Sequence, residues 1–338
     1  MIALRLHDKG DLRLHEEPVP TPGYDEVLVR VTAVGLCGSD LHWFNEGAIG
    51  DVSLTQPLVL GHEFVGVIET GERTDERVAL DPAIPCGRCG PCIAGDENLC
   101  VACRFAGNSI DGALRSQLAW PGRLAHRLPD SLPDAEASLL EPLGVALHAL
   151  DLGRVQAGMR AGVYGCGPIG LLLVQLLRRA GVDVLVATDP LAHRIVAAEA
   201  LGATVAVETR RAGAEILPSS AAGGVDVSFE VAGEDDAIAT AIDTLRPGGR
   251  LVLVGIPMDD RSSFTASTAR RKGLTISLCR RMKASDLPRA IELAEKGHIE
   301  LSSLISERYP LTNGSEAFAS LSERRALKVV VEPQRGAQ

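Results

Sequence analysis

The stretch Val163-Tyr164-Gly165-Cys166-Gly167-Pro168-Ile169-Gly170 decides the fold class. It runs out of a short apolar strand, turns on the spacing G-x-G-x-x-G, and opens a helix over 169–180. In that helix, leucines at 171, 172, 173, 176 and 177 supply the apolar faces. Gly165 permits a tight turn, Gly167 lets backbone N–H groups approach a pyrophosphate, and Gly170 lets the helix pack on the strand. The helix start at Pro168 and Ile169 favours an anion. By itself such a turn is a weak signal. The residues beyond it strengthen the reading: a strand over 182–188 that is apolar on both faces, a helix over 192–201 stopped by Gly202, strands over 204–207 and 225–230, a helix over 235–245, a turn at 247–249 and a strand over 250–254. Strands alternating with helices, apolar on both faces, predict a doubly wound parallel sheet of the α/β class. Asp189 lies 19 residues after Gly170, at the end of the second strand. A carboxylate there accepts from both ribose hydroxyls and repels a 2′-phosphate, so NAD is favoured over NADP. Arg194 is the complication, since a guanidinium can bind phosphate or pack on an adenine face.

Outward from this core the texture changes. The first 80 residues read as short strands, with alternation over 26–34 and similar runs over 65–69 and 77–80. Pro18, Pro20, Pro22, Gly23, Gly35 and Gly61 punctuate them, which predicts an all-β region with functional loops. The tail after 280 shows a helix over 287–296 and a final strand over 327–331. A length of 338 residues suits about two domains. The formal net charge of −10 argues against a nucleic-acid binder or an anionic-membrane binder. No apolar run reaches 18 residues, and the first residues alternate instead of forming a signal peptide, so a cytoplasmic, membrane-free protein is expected.

Four of the eight cysteines crowd together as Cys86-x2-Cys89-x2-Cys92-x7-Cys100. Four thiolates suit a closed tetrahedral zinc site, a structural one, with an iron–sulfur cluster as the competitor. Cys103 is a spare, small apolar residue. A second set, Cys37, His62, Glu63 and Glu141, offers sulfur, nitrogen and oxygen, the donor mixture of an open catalytic zinc. His62 and Glu63 point differently in a regular strand, so a turn must bring them together or Glu63 stands behind the ligands. Glu141, before Pro142, is also an ordinary helix start.

These motifs occur in the order seen in zinc-dependent medium-chain dehydrogenases: Gly35-Leu36-Cys37-Gly38-Ser39-Asp40-Leu41-His42, Gly61-His62-Glu63, the four-cysteine lobe, Glu141 through His148, and the glycine turn. The chain resembles the polyol branch most, the sorbitol, xylitol and L-idonate dehydrogenases, in Glu46 to Gly50, Glu141-Pro142-Leu143 and Leu304 to Leu311. The resemblance implies a GroES-like catalytic domain over 1–145 carrying the zinc lobe 86–100. It implies a Rossmann domain over 146–280, a return to the catalytic domain over 281–338, and an active site in the cleft between. It implies two Zn2+ per chain, NAD, a small alcohol substrate and a homo-oligomer, dimer or tetramer. The catalytic zinc is then held by Cys37, His62, Glu63 and a water, with Glu141 alternating as ligand or water partner. Ser39 and His42 match the proton relay, Arg280 a position near cofactor and substrate oxygens, and Val254-Gly255-Ile256 the stretch beside the nicotinamide. Trp43 and Arg281 stand where the branch often has tyrosine, and Phe64 where small residues are usual; these departures touch the substrate. Threonine, 2,3-butanediol and aldose dehydrogenases are rival readings, and a non-catalytic nucleotide-binding relative is a distant one.

Overall fold

A computed structural model describes residues 1–334. Its contacts separate two compact units: Met1–Glu141 with Lys283–Gly297 and the chain from Leu301 onward, and Pro142–Met282 with His298–Glu300.

The first unit is built on strand Glu26–Gly35, whose alternating Val29, Val31 and Ala33 are fully buried. Glu63–Ile68, Gln117–Pro121 and Lys328–Glu332 all pair with it antiparallel. Among the described residues the sheet continues through Arg77–Leu80 and Ala125–Arg127 on one side and Ile305–Pro310 on the other. The register sets Gly35 opposite Glu63 on one neighbour and Val330 on the other. Phe64 packs edge-on against Trp120, ring centroids 5.5 Å apart, in the core. A separate hairpin, Ile2–Asp8 with Asp11–Glu16, pairs with Leu58–Val59.

Two features differ from the sequence reading. The expected all-β region contains a helix, Gly38–Glu46. It is fixed at its start by Asp40, whose Oδ2 accepts the Cys37 N–H at 2.9 Å, and at its end by Gly47, left-handed at φ 63° with its N–H on the Trp43 carbonyl. The tail also adds a strand, Ile305–Pro310, and a helix, Gly314–Ser322, to the expected helix and final strand. That strand is an edge, half exposed and mostly polar, so it lacks the apolar run by which strands are recognised.

The second unit holds a six-stranded parallel sheet among the described residues, in the order Val205–Glu208, Val184–Asp189, Arg160–Tyr164, Val225–Glu230, Leu245–Leu253, Thr275–Leu278. The turn expected at 247–249 sits inside Leu245–Leu253 as an irregularity, because the pairing skips from Leu245 to Arg250 while the neighbouring strand advances two residues. Gly248, at φ 74°, allows that excursion. The edge strand Thr275–Leu278, with Leu278 exposed, and helix Ala266–Lys272 lie beyond the last strand legible in the sequence. No helix among the described residues is long and apolar enough to cross a membrane.

Candidate metal centres and cofactor turn

His62 precedes strand Glu63–Ile68, and Gly61 before it turns at φ 90°. A Cβ on Gly61 would lie 2.8 Å from Val34 Cγ1, so conformation and space both require glycine. This is the turn that adjacent His62 and Glu63 need. With Cys37 at the start of helix Gly38–Glu46, their donor atoms all lie within 4.8 Å of one another. His62 and Glu63 are buried and Cys37 is half-buried. Glu141 falls outside that trio but is buried and close enough to feel His62, Glu63 and Lys328; burial pushes its carboxyl up to about 7.

Two residues that the sequence reading passed over hold the trio. Asp40 is fully buried, takes the Cys37 and Gly61 N–H groups at 2.9 and 3.1 Å, and places Oδ1 3.6 Å from His62 Nδ1. Burial disfavours a charged His62, but Asp40 and Cys37 outweigh it and hold the imidazole well above its usual range. Asp40 therefore fixes which ring nitrogen faces the cluster. Lys328, 1% exposed, forms an ion pair with Glu63 Oε2. A Cβ on Gly35 would run into that Glu63 oxygen and approach Lys328 Cε to 2.8 Å. The signal for Asp40 was its spacing, three residues after the helix-capping Cys37. Lys328 showed only as a lysine at the head of an apolar strand.

Ser39 Oγ lies 3.2 Å from His62 Nε2, and His42, three residues on in the same helix, is buried. The Phe105 ring packs 5.5 Å from His62. Trp43 is 2% exposed, and Arg280 is exposed after strand Thr275–Leu278.

The Cys86, Cys89, Cys92 and Cys100 sulfurs also converge within 4.8 Å of one another. The Cys86 N–H points at Cys100 Sγ at 3.3 Å, and the N–H groups of Arg88 and Cys89 lower the Cys86 thiol to about 6. Four sulfurs on short turns fit a closed zinc site. The S, N, O trio, with one protein donor fewer, fits a zinc that keeps a position for exchange.

In the second unit the glycine turn has the expected form. Gly165 has φ 104° and hydrogen-bonds Thr188 O; Gly167 caps helix Pro168–Arg179, with Pro168 at its first position. Ile169 follows in that first turn, and a Cβ on Gly170 would strike the Gly165 carbonyl. Asp189 is 3% exposed; its Oδ2 accepts the Cys166 N–H at 2.8 Å and faces Arg194 Nη1 at 3.5 Å, while Oδ1 accepts the Leu191 N–H. The carboxylate is thus locked to the turn and shared with Arg194. Val254 and Gly255 both donate to the Glu230 carbonyl, and Ile256 is exposed beyond them.

Residues 23–130 match the family model for the alcohol dehydrogenase GroES-like domain, and residues 168–296 match that for zinc-binding dehydrogenases. The sorbitol dehydrogenase of Bacillus subtilis is 34% identical, covering 99% of this chain and 98% of its own. Two solved structures each superpose with TM-score 0.89 over 98% of this chain. One, described as a zinc-binding dehydrogenase from Sinorhizobium meliloti bound to NADP, is 30% identical with 99% of it covered. The other, L-idonate 5-dehydrogenase from Escherichia coli, is 27% identical with 97% covered. The chain belongs to the zinc-dependent medium-chain dehydrogenases, in their polyol branch.

Proposed function

We propose that the chain catalyses the NAD-linked oxidation of a secondary alcohol, a polyol of the sorbitol, xylitol or idonate type, to the ketone. The observation that carries this is the convergence of Cys37 with the buried His62 and Glu63, braced by Asp40 and Lys328. Cys37, His62 and Glu63 hold the catalytic zinc, and the four-cysteine lobe holds a structural one. Bound zinc supplies Lewis acidity that lowers the pKa of an alcohol hydroxyl, and bound NAD supplies the hydride acceptor. Asp40 keeps His62 oriented. Ser39, beside His62, takes the hydroxyl proton and passes it on through His42. Glu141 adds a carboxyl near the trio as ligand or water partner, and Arg280 serves substrate and cofactor oxygens. Phe105, against His62, helps exclude water. The turn Gly165, Gly167, Pro168, Ile169 and Gly170 binds the pyrophosphate, and Val254, Gly255 and Ile256 line the nicotinamide. Asp189 accepts the ribose hydroxyls while Arg194 stays paired with it.

Within that set a neutral polyol such as sorbitol or xylitol suits an acidic chain better than the sugar acid idonate does. The assembly belonging to this reading is a homo-oligomer, and the compartment is the cytoplasm, a reducing setting that suits thiolate metal sites. A substrate panel with NAD, read by the absorbance of the reduced cofactor, tests the activity. Turnover of a polyol upholds it; good rates on threonine or 2,3-butanediol with none on any polyol move the chain to a neighbouring branch.

A further inference from the structure

The hairpin Ile2–Asp8/Asp11–Glu16 carries two histidines that the dehydrogenase chemistry does not use. A regular ladder would keep them apart, since His15 is in register with Ala3, four residues before His7. The pairing instead shifts between Leu6 and Asp8, and a bulge of this kind re-aims the side chain it contains, here His7. The result brings His7 Nε2 to 2.8 Å from His15 Nε2. The ring centroids are 5.0 Å apart and the planes differ by 14°. The nitrogens are closer than the centroids by about two ring radii, so the imidazoles meet end on in an Nε2–H···Nε2 hydrogen bond, whose single shared proton a metal ion would replace. Both rings are half-buried in the wall of a cavity of about 700 Å³ that also carries Thr55, Gln56 and Asn108.

We propose that His7 and His15 form a third metal site, a two-imidazole chelate for a borderline divalent transition metal ion such as Ni2+, Cu2+ or Zn2+. Neutral imidazole suits these ions, whereas no carboxylate among the described residues joins the pair within 4.8 Å, which disfavours Mg2+ and Ca2+. Two nitrogens each about 2.0–2.1 Å from one ion, at right-angled or tetrahedral positions, stand roughly 3–3.4 Å apart. Reaching that from the present hydrogen bond takes a separation of about half an ångström and a turn of each ring by roughly 40°, so that both lone pairs point at one ion instead of at each other. The cavity leaves the remaining coordination positions to water. Local charge does not repel a cation: Arg5 is paired with Glu17 at 2.5 Å and Asp111 at 2.8 Å, and Arg13 with Asp11 at 2.6 Å. Occupancy ties the two strands of the hairpin together across its bulge.

The test uses the zinc-loaded protein, full length, in a buffer that does not bind metals. Ni2+ is titrated by calorimetry while zinc content is followed by mass spectrometry. The expected result is one Ni2+ bound per chain with no zinc released, and at least tenfold weaker binding in His7→Gln and in His15→Gln separately. Cu2+ added to the parent should give an electron-spin spectrum split by two nitrogens, and each variant should lose one of them. Melting temperatures measured without Ni2+ show whether each variant is folded, and Ni2+ should raise that of the parent alone. No Ni2+ uptake by the parent, uptake only in exchange for zinc, or equal affinity in parent and folded variants overturns the site.

Discussion

Lys328→Met tests what the buried ion pair does to the metal trio. Lys328 and Glu63 are each 1% exposed, and the lysine ammonium is the charge partner of Glu63 Oε2. Methionine keeps the unbranched stem and fills the same space, so the change removes charge more than volume. In the zinc-free protein it leaves Glu63 buried without its cation, a loss of about 3–5 kcal/mol. In the zinc-loaded protein the metal's own charge neutralises Glu63, and the loss is smaller. The thermodynamic cycle then requires zinc to bind the variant more tightly. If the metal recovers only ~1.4 kcal/mol of the loss, zinc affinity rises tenfold. Urea denaturation of both forms gives the two stabilities. Competition with a chelator, following metal per chain, gives the affinity of the weaker of the two zinc sites. The expected outcome is a large destabilisation without zinc, a lesser one with it, and at least tenfold tighter zinc. Unchanged or weaker zinc affinity in the variant would refute the reasoning and leave Lys328 as a residue that merely positions Glu63.

Cys89→Ser should lower the melting temperature and solubility far more than it alters turnover per zinc-loaded chain, because a closed thiolate site contributes folding energy; equal melting curves would contradict this. Asp189→Ser should narrow an NAD preference of at least tenfold, since a carboxylate beside a 2′-phosphate costs about 1.4 kcal/mol or more; comparable kcat/KM with NAD and NADP in the parent would shift attention to Arg194. Glu141→Gln should reduce polyol turnover at least tenfold with NAD affinity intact, whereas a residue that only starts a helix would leave turnover near the parental rate. Glu230 supplies a pH dependence: it is 1% exposed, and burial pushes it up to about 7 from the ordinary 4.5. The folded chain therefore keeps a proton that the unfolded chain releases first. This stabilisation is complete below about 4.5 and disappears as pH rises through about 7, an effect of the order of 2–3 kcal/mol. Glu230→Gln keeps an oxygen for the Ala232 and Gly233 N–H groups and should remove this part of the pH dependence, so its urea midpoint should fall less than the parent's between pH 5 and 8; parallel profiles would show that Glu230 does not titrate there.

Local chemistry made much of this protein legible in one dimension. The turn from Gly165 to Gly170 is readable because backbone conformation, close approach and helix start are all set within eight residues, and Gly165 and Gly170 indeed have no room for a side chain. The cysteine lobe is readable for the same reason: its four donors span 15 residues, and short turns suffice to bring them together. Strand alternation over 26–34 likewise reports directly which face is buried.

The trio of Cys37, His62 and Glu63 is a different kind of object. Cys37, His62 and Glu63 are each unremarkable alone, and their meeting depends on the antiparallel register that sets Gly35 opposite Glu63. It also depends on a helix within a stretch that reads as strand and loop, which Asp40 starts and then links to Gly61 and His62. Lys328 comes from the far end of the chain, carried in by a strand that adds to the other side of Glu26–Gly35. The sequence alone determined the chemistry available, the zinc-binding donor types and the cofactor-binding turn. Tertiary structure decided which carboxylate joins the trio, which charges stand behind it, and that two ordinary histidines meet across a bulged hairpin. Register is cooperative over a whole sheet, and no short window of residues contains it.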